Sequence, residues 1–442
     1  MRLSTEASQA AVAAIEEAFR SNPGAGALPG WLDGPRDDAL AAFVRVGFPP
    51  PRAEEWKYTN LAEIIGSSAA RLNRAPAAAD PAVISELLHR IPRRTGDPTI
   101  VIANGRFEPE LSNLPDTSQG IRVSTLSQAS AADRDRYAAW LNADSRDGAS
   151  PFASLNAAFL QDGVIVDVRS DAQVADTLHI VFASDSAAAH TQTRVLISAG
   201  ERSSAGVVEH HVSEGDAWTN TTTTIDCAES ARLTYVKLQD ESEATDHIAA
   251  QEVRLAANSV FRAAHFDLGA RLARNDLRVR LLGPGANAQM FGLFLADGRR
   301  HVDNQTRIDH EAGDATSFEH YRGIMNDHGR GVFNGKIIVH DGADGTDAQL
   351  NNRNLLLSRT AEIDTKPELE IYTDDVKCAH GATTGQLDDI ALFYLRARGI
   401  PARVAKHMLV IAFAREILEQ FDPAASELAD YVNATLERRL PE

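Results

Sequence analysis

Cys378 and His380 stand two residues apart in the stretch "DDVKCAHGATTGQ", residues 374–386. A thiol beside an imidazole can attack an electrophile, ligate a metal, or simply fill a core. If the segment is extended, the two side chains point to one face while Lys377 and Ala379 point to the other. Thiolate and imidazole suit zinc or iron, but a closed tetrahedral site needs four ligands and this one offers two, so solvent, another segment or another chain would have to complete it. A nucleophile needs a base within hydrogen-bond reach, whereas residues i and i+2 of a strand are about 6.6 Å apart. Only a folded-back turn at Gly381 would bring the pair together. The spacing alone leaves a structural thiol, a shared metal site and a nucleophile open, in that order. Cys227, in "TTTTIDCAES", has neither a histidine nor a second cysteine nearby and reads as core.

Other chemistry-bearing residues lack a recognised pattern. His301, His310, His320, His328 and His340 fall on successive β-type segments, but no pair has a metal-ligand spacing, so they read as scattered surface or capping groups. "GRGVFNGKI" resembles a phosphate loop, yet its glycines are wrongly spaced and Ile337 stands where a magnesium-binding hydroxyl belongs. "GAGALPG" near Gly24 lacks the dinucleotide spacing and a preceding strand. No G-x-S-x-G, H-E-x-x-H or C-x-x-C motif is present.

The elements that must position these residues fall into three regions. Residues 1–160 form an α-rich N-terminal region, with Ala11, Ile15 and Phe19 at helical spacing, a second helix from Asp37 to Val46 stopped by Pro49, Pro50 and Pro51, a strand at "TIVIANG" and a helix at "PFASLNAAFL". Residues 161–386 are β-rich, and Gly269, Gly283, Gly298, Gly313, Gly329 and Gly342 recur at steps of 14, 15, 15, 16 and 13. One such step fits a strand plus a turn, and two would make one coil of a flattened solenoid; Asn351, Asn352 and Asn354 could form ladders along its axis. An antiparallel sandwich fits the periodicity equally well. Residues 387–442 are helical: Leu387, Ile390, Ala391, Tyr394 and Leu395 form a stripe ending at Gly399, Pro401 opens a second helix, and Asp422-Pro423 opens a third. The middle helix is apolar on nearly every side from Met408 to Ala414, so more than one surface, in this chain or a partner, must cover it.

Composition narrows the function classes. The 442 residues carry 62 acidic against 44 basic side chains, and a net charge of −18 repels nucleic acid and anionic lipid. Two cysteines make no disulfide framework, the first twenty residues lack a signal-peptide core, and no window approaches the run of about 18 apolar residues a membrane span requires. These features predict a cytoplasmic protein.

The run "RNLLLSRTAEIDTKPELEIYTDDVKCAHGATTGQLDDIALFYLRARGI", residues 353–400, resembles the SufD family, subunits of the SUF iron-sulfur cluster assembly machinery, and "GRGVFNGKI" and "PRAEEWKYTN" are similar to other stretches of it. One departure is Ala379, where the family commonly has serine. The resemblance implies a mainly β fold, a right-handed parallel β-helix core flanked by α-helical N- and C-terminal domains, and so favours the solenoid. It implies a non-catalytic scaffold that pairs with a SufB-like subunit through the β-helix core and binds a SufC-like ATPase through residues 387–442, which would explain the apolar tail helix and the missing phosphate loop. Within the homologous SufB and SufD pair, two cysteines are poor material for a stand-alone cluster scaffold, which favours the SufD side. The resemblance makes His380 first and Cys378 second as candidate ligands of a nascent iron-sulfur cluster shared with SufB, not stably bound by this chain alone. A β-helix carbohydrate-active enzyme is the competing class, disfavoured by the 6% aromatic content, and a homodimer in isolation is compatible with the same fold.

Overall fold

The computed structural model describes residues 5–21, 28–50, 52–74, 77–130, 150–420 and 426–439, with residues 133, 134, 137 and 140 between them. Pro51, part of the expected helix stop, the "GAGALPG" glycines up to Gly26, and the Asp422-Pro423 start signal lie outside the described residues. The N-terminal region folds as helices α1 (Thr5–Ser21), α2 (Asp33–Val46), α3 (Ala62–Leu72), α4 (Pro81–Arg90) and α5 (Pro151–Ala158), with short strands β1 (Thr99–Ala103), β2 (Arg106–Phe107) and β3 (Ile121–Thr125). Helix α4 shows how locally the sequence specifies these elements: Asp80 caps Ala82 N–H, and Pro81 occupies the first turn, where its missing donor costs nothing.

Strands β4 (Asp162–Val168) to β19 (Val376–Gly385) then alternate between two sheets, odd-numbered strands in a ten-stranded sheet with β1 and β2, even-numbered strands in a nine-stranded sheet with β3. From β4 onward each strand pairs in parallel with the strand two positions away, which makes a β-solenoid of about eight turns and excludes the antiparallel sandwich. Leu272, His301 and Arg330 are successive register partners, so a coil is 29 residues long here, twice the glycine step. At two of these glycines the neighbouring coil leaves no room: a Cβ on Gly283 would lie 2.3 Å from the backbone nitrogen of Ala257, and one on Gly329 would lie 2.0 Å from the Ala296 carbonyl oxygen, whereas Gly298 and Gly342 adopt positive φ.

Alternation sends every second side chain inward, and like stacks on like. Ile197, Ile225, Val253, Val279, Ile308, Ile337 and Leu369 form one register column through the interior. Burying each such side chain stabilises the fold by about 1.5–3 kcal/mol before ordering costs. Asn351, Asn352 and Asn354 do not form the expected ladder: the register partners of Asn352 are Tyr321 and Ala382, and Asn352 and Asn354 hydrogen-bond to each other.

Helices cover the outer faces. The N-terminal helices pack on the nine-stranded sheet through Ile165, Leu196, Trp218, Ile248 and Leu272, and the Arg274 guanidinium lies 3.6 Å from the Trp56 ring centroid. On the ten-stranded sheet, Val410, Ala414 and Ile417 of α7 (Ala402–Leu418) and Val432 and Leu436 of α8 (Ser426–Arg439) pack against Leu238, Phe266, Phe291 and Ile324. Between β19 and α7, helix α6 (Asp389–Arg396), capped by Asp388, has no buried residue: the expected stripe is present, but Ile390 and Tyr394 are 78% and 56% exposed. Met408 of α7 is likewise 45% exposed, so the described residues cover only one side of that helix.

Candidate functional site

Cys378 and His380 lie on β19, the last strand of the ten-stranded sheet, paired on one side only, with β17 (Thr346–Leu356). Their register partners are Ala348 and Leu350, both buried in the solenoid interior. Both therefore face inward, as the two-residue spacing predicts, but no further coil lies above them. Cys378 packs half-buried against the core and His380 is exposed at the open end. Burial pushes the Cys378 thiol above its usual range, the Asp347 charge adds to this, and a hydrogen bond with the Ala348 backbone acts against both. In the isolated chain the group is thus a thiol rather than a reactive thiolate, which counts against the nucleophile reading.

The rest of this end is equally unfinished. β18 (Glu362–Ile371) is the terminal strand of the nine-stranded sheet, and the Tyr372 that follows it is 61% exposed. Pro367 lies within β18, a residue tolerated only where no further ladder bond is needed from its nitrogen. β19 is made largely of small residues, and a Cβ placed on Gly381 or Gly385 would meet nothing within 4 Å. Among the described residues nothing requires glycine there.

Beneath the open end a polar seam runs through the interior. Glu209, Lys237, His265, Gly292, Tyr321, Asn352 and Ala382 are successive register partners, and the adjacent column ends Glu319, Leu350, His380. Tyr235 Oη donates to Glu209 Oε2 (2.7 Å), Lys237 Nζ donates to Asn275 Oδ1 (2.5 Å) and lies 2.8 Å from His247 Nε2, and His265 Nδ1 lies 3.0 Å from Tyr321 Oη. Burial lifts Glu319 to about 8, which keeps its carboxyl protonated at neutral pH. This seam is absent from the sequence reading. "VVEHHVS" at 207–213 carries a visible cluster of titratable groups, but only the coil register brings Lys237 and His247 to it.

The scattered histidines stay scattered. His301 meets Thr59 Oγ1 (2.9 Å), His310 meets Ser317 Oγ (2.9 Å), His340 meets Asp309 Oδ1 (2.9 Å), His320 meets Arg322 Nε (3.4 Å), and His328 is exposed. A cavity of about 640 Å³ beside α1 and α2 is lined by residues such as Val12, Phe48, Trp56 and Tyr58, with no carboxylate, imidazole or thiol among the described lining residues.

Residues 28–180 match the N-terminal region of SufBD proteins, and residues 181–413 match the SufBD core domain of the SUF system for FeS cluster assembly. The chain belongs to the SufBD family. It is similar to the SufBD protein SufD of Escherichia coli, an iron-sulfur cluster assembly protein, at 31% identity over 91% of this chain and 92% of that one. A SufBD family protein of Synechocystis is 30% identical over 88% of this chain and 87% of its own length, and SufD of Bacillus subtilis is 23% identical over 89% and 90%. SufBD membership assigns the chain a role in iron-sulfur cluster assembly and does not favour a carbohydrate-active enzyme. Among the described residues no helix is long and apolar enough to cross a membrane.

Proposed function

We propose that this chain is a non-catalytic scaffold subunit of a SufBCD assembly, pairing with a SufB-like subunit through the β-solenoid and binding a SufC-like ATPase through its C-terminal helices. The observation that carries the reading is the open end of the solenoid, where two full-length strands have free edges and Cys378 and His380 face the gap. Free edges are sites for pairing with another chain, and the pair supplies two of the ligands a metal centre needs. The nascent iron-sulfur cluster is cargo here: His380 is the first candidate ligand, Cys378 the second, and the partner completes the set.

The ATPase surface is α6 with the exposed flank of α7. Ile390, Phe393 and Tyr394 of one short helix are exposed together, and apolar groups so grouped mark a protein-interaction surface. On this reading the functional units are residues 1–160, 161–386 and 387–442, for support, cluster interface and ATPase docking respectively.

Co-expression with SufB-like and SufC-like subunits, followed by native mass measurement, tests the assembly. A complex of one copy of this chain, one SufB-like and two SufC-like subunits is expected; a monomer or homodimer that ignores both partners refutes it. His380→Ala in the complex is expected to lower the iron retained after anaerobic purification, and unchanged iron would remove His380 from the ligand set.

A further inference from the structure

Far from the open end, the polar seam contains a cluster that the cluster-assembly reading does not use. His211 lies on β7 (Ser204–Ser213), Glu241 immediately follows β9 (Arg232–Asp240), and His247 is the second residue of β10 (Asp246–Leu255). One nitrogen of each imidazole and one carboxylate oxygen of Glu241 lie within 4.8 Å of one another, and all three residues are buried. The imidazole rings meet edge to face, centroids 4.7 Å apart, so a nitrogen of each can converge on one point. From this juxtaposition the geometry points to a structural site for one divalent transition-metal ion, zinc or ferrous iron in class, held by His211 Nδ1, His247 Nδ1 and a Glu241 carboxylate oxygen inside the β-solenoid.

The surroundings select those atoms. His211 Nε2 is engaged by Glu209 Oε1 at 2.7 Å, the carboxylate–imidazole arrangement that orients metal-ligating histidines, while His211 Nδ1 is buried without a hydrogen-bond partner. His247 Nε2 lies 2.8 Å from Lys237 Nζ, and its Nδ1 pairs with Glu241 Oε2 at 2.7 Å, a contact whose proton a bound metal ion would displace. Glu241 is fixed from outside the triad by Thr219 Oγ1, which donates to Oε1 (2.6 Å), and by Gln239 Nε2, which donates to Oε2 (2.9 Å). Gln239 is itself the register partner of His211, so the coil stacking builds ligand and support together. The three side chains are thus held from outside the triad, and His211 Nδ1 is left unsatisfied where burial makes that costly. Two imidazoles and one carboxylate are a recurrent ligand set for zinc and for non-haem iron.

The ligands come from two adjacent coils, His211 on the ten-stranded sheet, Glu241 in the turn after β9 and His247 on the nine-stranded sheet, and none is exposed. The ion is therefore enclosed as those coils close, and binding is coupled to folding. The test uses the full, untagged chain carrying Cys378→Ala and His380→Ala, so that metal at the proposed cluster interface does not contribute. This parent is unfolded with a chelator and refolded with excess Co²⁺ as the probe, then freed of loose ion. About one tightly held Co²⁺ per chain is expected, with visible ligand-field absorption and a higher thermal midpoint than protein refolded in chelator. His211→Gln and Glu241→Gln, each added to the parent, are expected to lower bound Co²⁺ by more than about tenfold. A parent that regains its far-ultraviolet spectrum while holding no Co²⁺ overturns the site, as does retention of the full complement in both variants. If the parent does not refold, metal is counted in protein purified from Co²⁺-supplemented cells; the same stoichiometry supports the site and its absence overturns it. A variant that does not fold is replaced by Glu241→Asp or His211→Asn, with the same outcomes.

Discussion

The two ends of the solenoid are built on opposite plans. At the N-terminal end the ten-stranded sheet finishes in β2, two residues long and antiparallel to β1, and the nine-stranded sheet finishes in β3, antiparallel to β4 and leading into a short 3-10 turn at Leu126–Gln128. Short, reversed terminal strands leave little to template further pairing. At the C-terminal end, β18 and β19 keep ten residues each, stay parallel, and expose their inward faces. The same repeat therefore ends once in a finished surface and once in an interface awaiting its other half. A face may be left unburied only where something else will bury it, or at a cost in solubility.

The largest expected effect is at the finished side. Phe152 lies in the aromatic cluster that joins the N-terminal helices to the solenoid, 5.2 Å from Trp56 and 6.4 Å from Trp218 between centroids. Phe152→Ala is expected to cost about 3–5 kcal/mol in urea unfolding, while Cys378→Ala at the open end stays within about 1 kcal/mol. Equal losses would erase the contrast between the ends. Next in size is the partner interface: Gly381→Arg meets open space in the isolated chain, so its melting point should hold while co-purification with a SufB-like subunit falls more than about tenfold. Normal capture of the partner by that variant would place the interface elsewhere. Phe393→Asp on α6 separates the two proposed docking surfaces, and is expected to abolish retention of the ATPase subunit while leaving SufB-like pairing intact.

A pH dependence is expected two coils below the open end. Glu319 has a folded pKa of about 8, raised by burial from an ordinary value of 4.5, so between those values the folded chain binds a proton that the unfolded chain has released. Stability should fall as pH rises from about 4.5 to about 8. Glu319→Gln is expected to flatten that slope and to be more stable than the parent at pH 8.5, read as urea midpoints. A variant with the parent's slope would show that the carboxyl is solvated.

What the sequence made legible was whatever depends on neighbours in the chain. Alternation placed Cys378 and His380 on one face, Gly283 and Gly329 marked turns, and Pro401 stood at a helix start. The solenoid itself stayed level with a sandwich until the resemblance of residues 353–400 entered, because a strand-plus-turn period does not say which strand pairs with which. For the same reason the interior seam was invisible: Glu209 and Lys237 are adjacent only after a coil of 28 residues has closed. The stripe of α6 was legible but its exposure was not, since amphipathic spacing specifies an apolar face but not whether its own chain covers it.

One blunt end and one open end also set the size of any assembly made by edge pairing. A rod that could be extended at both ends would add subunits without limit and grow into a fibre. Here β2 and β3 stop addition at one end, and joining two open ends consumes the free edges of both partners. Growth would halt at two rods, with the termination rule carried by a two-residue strand.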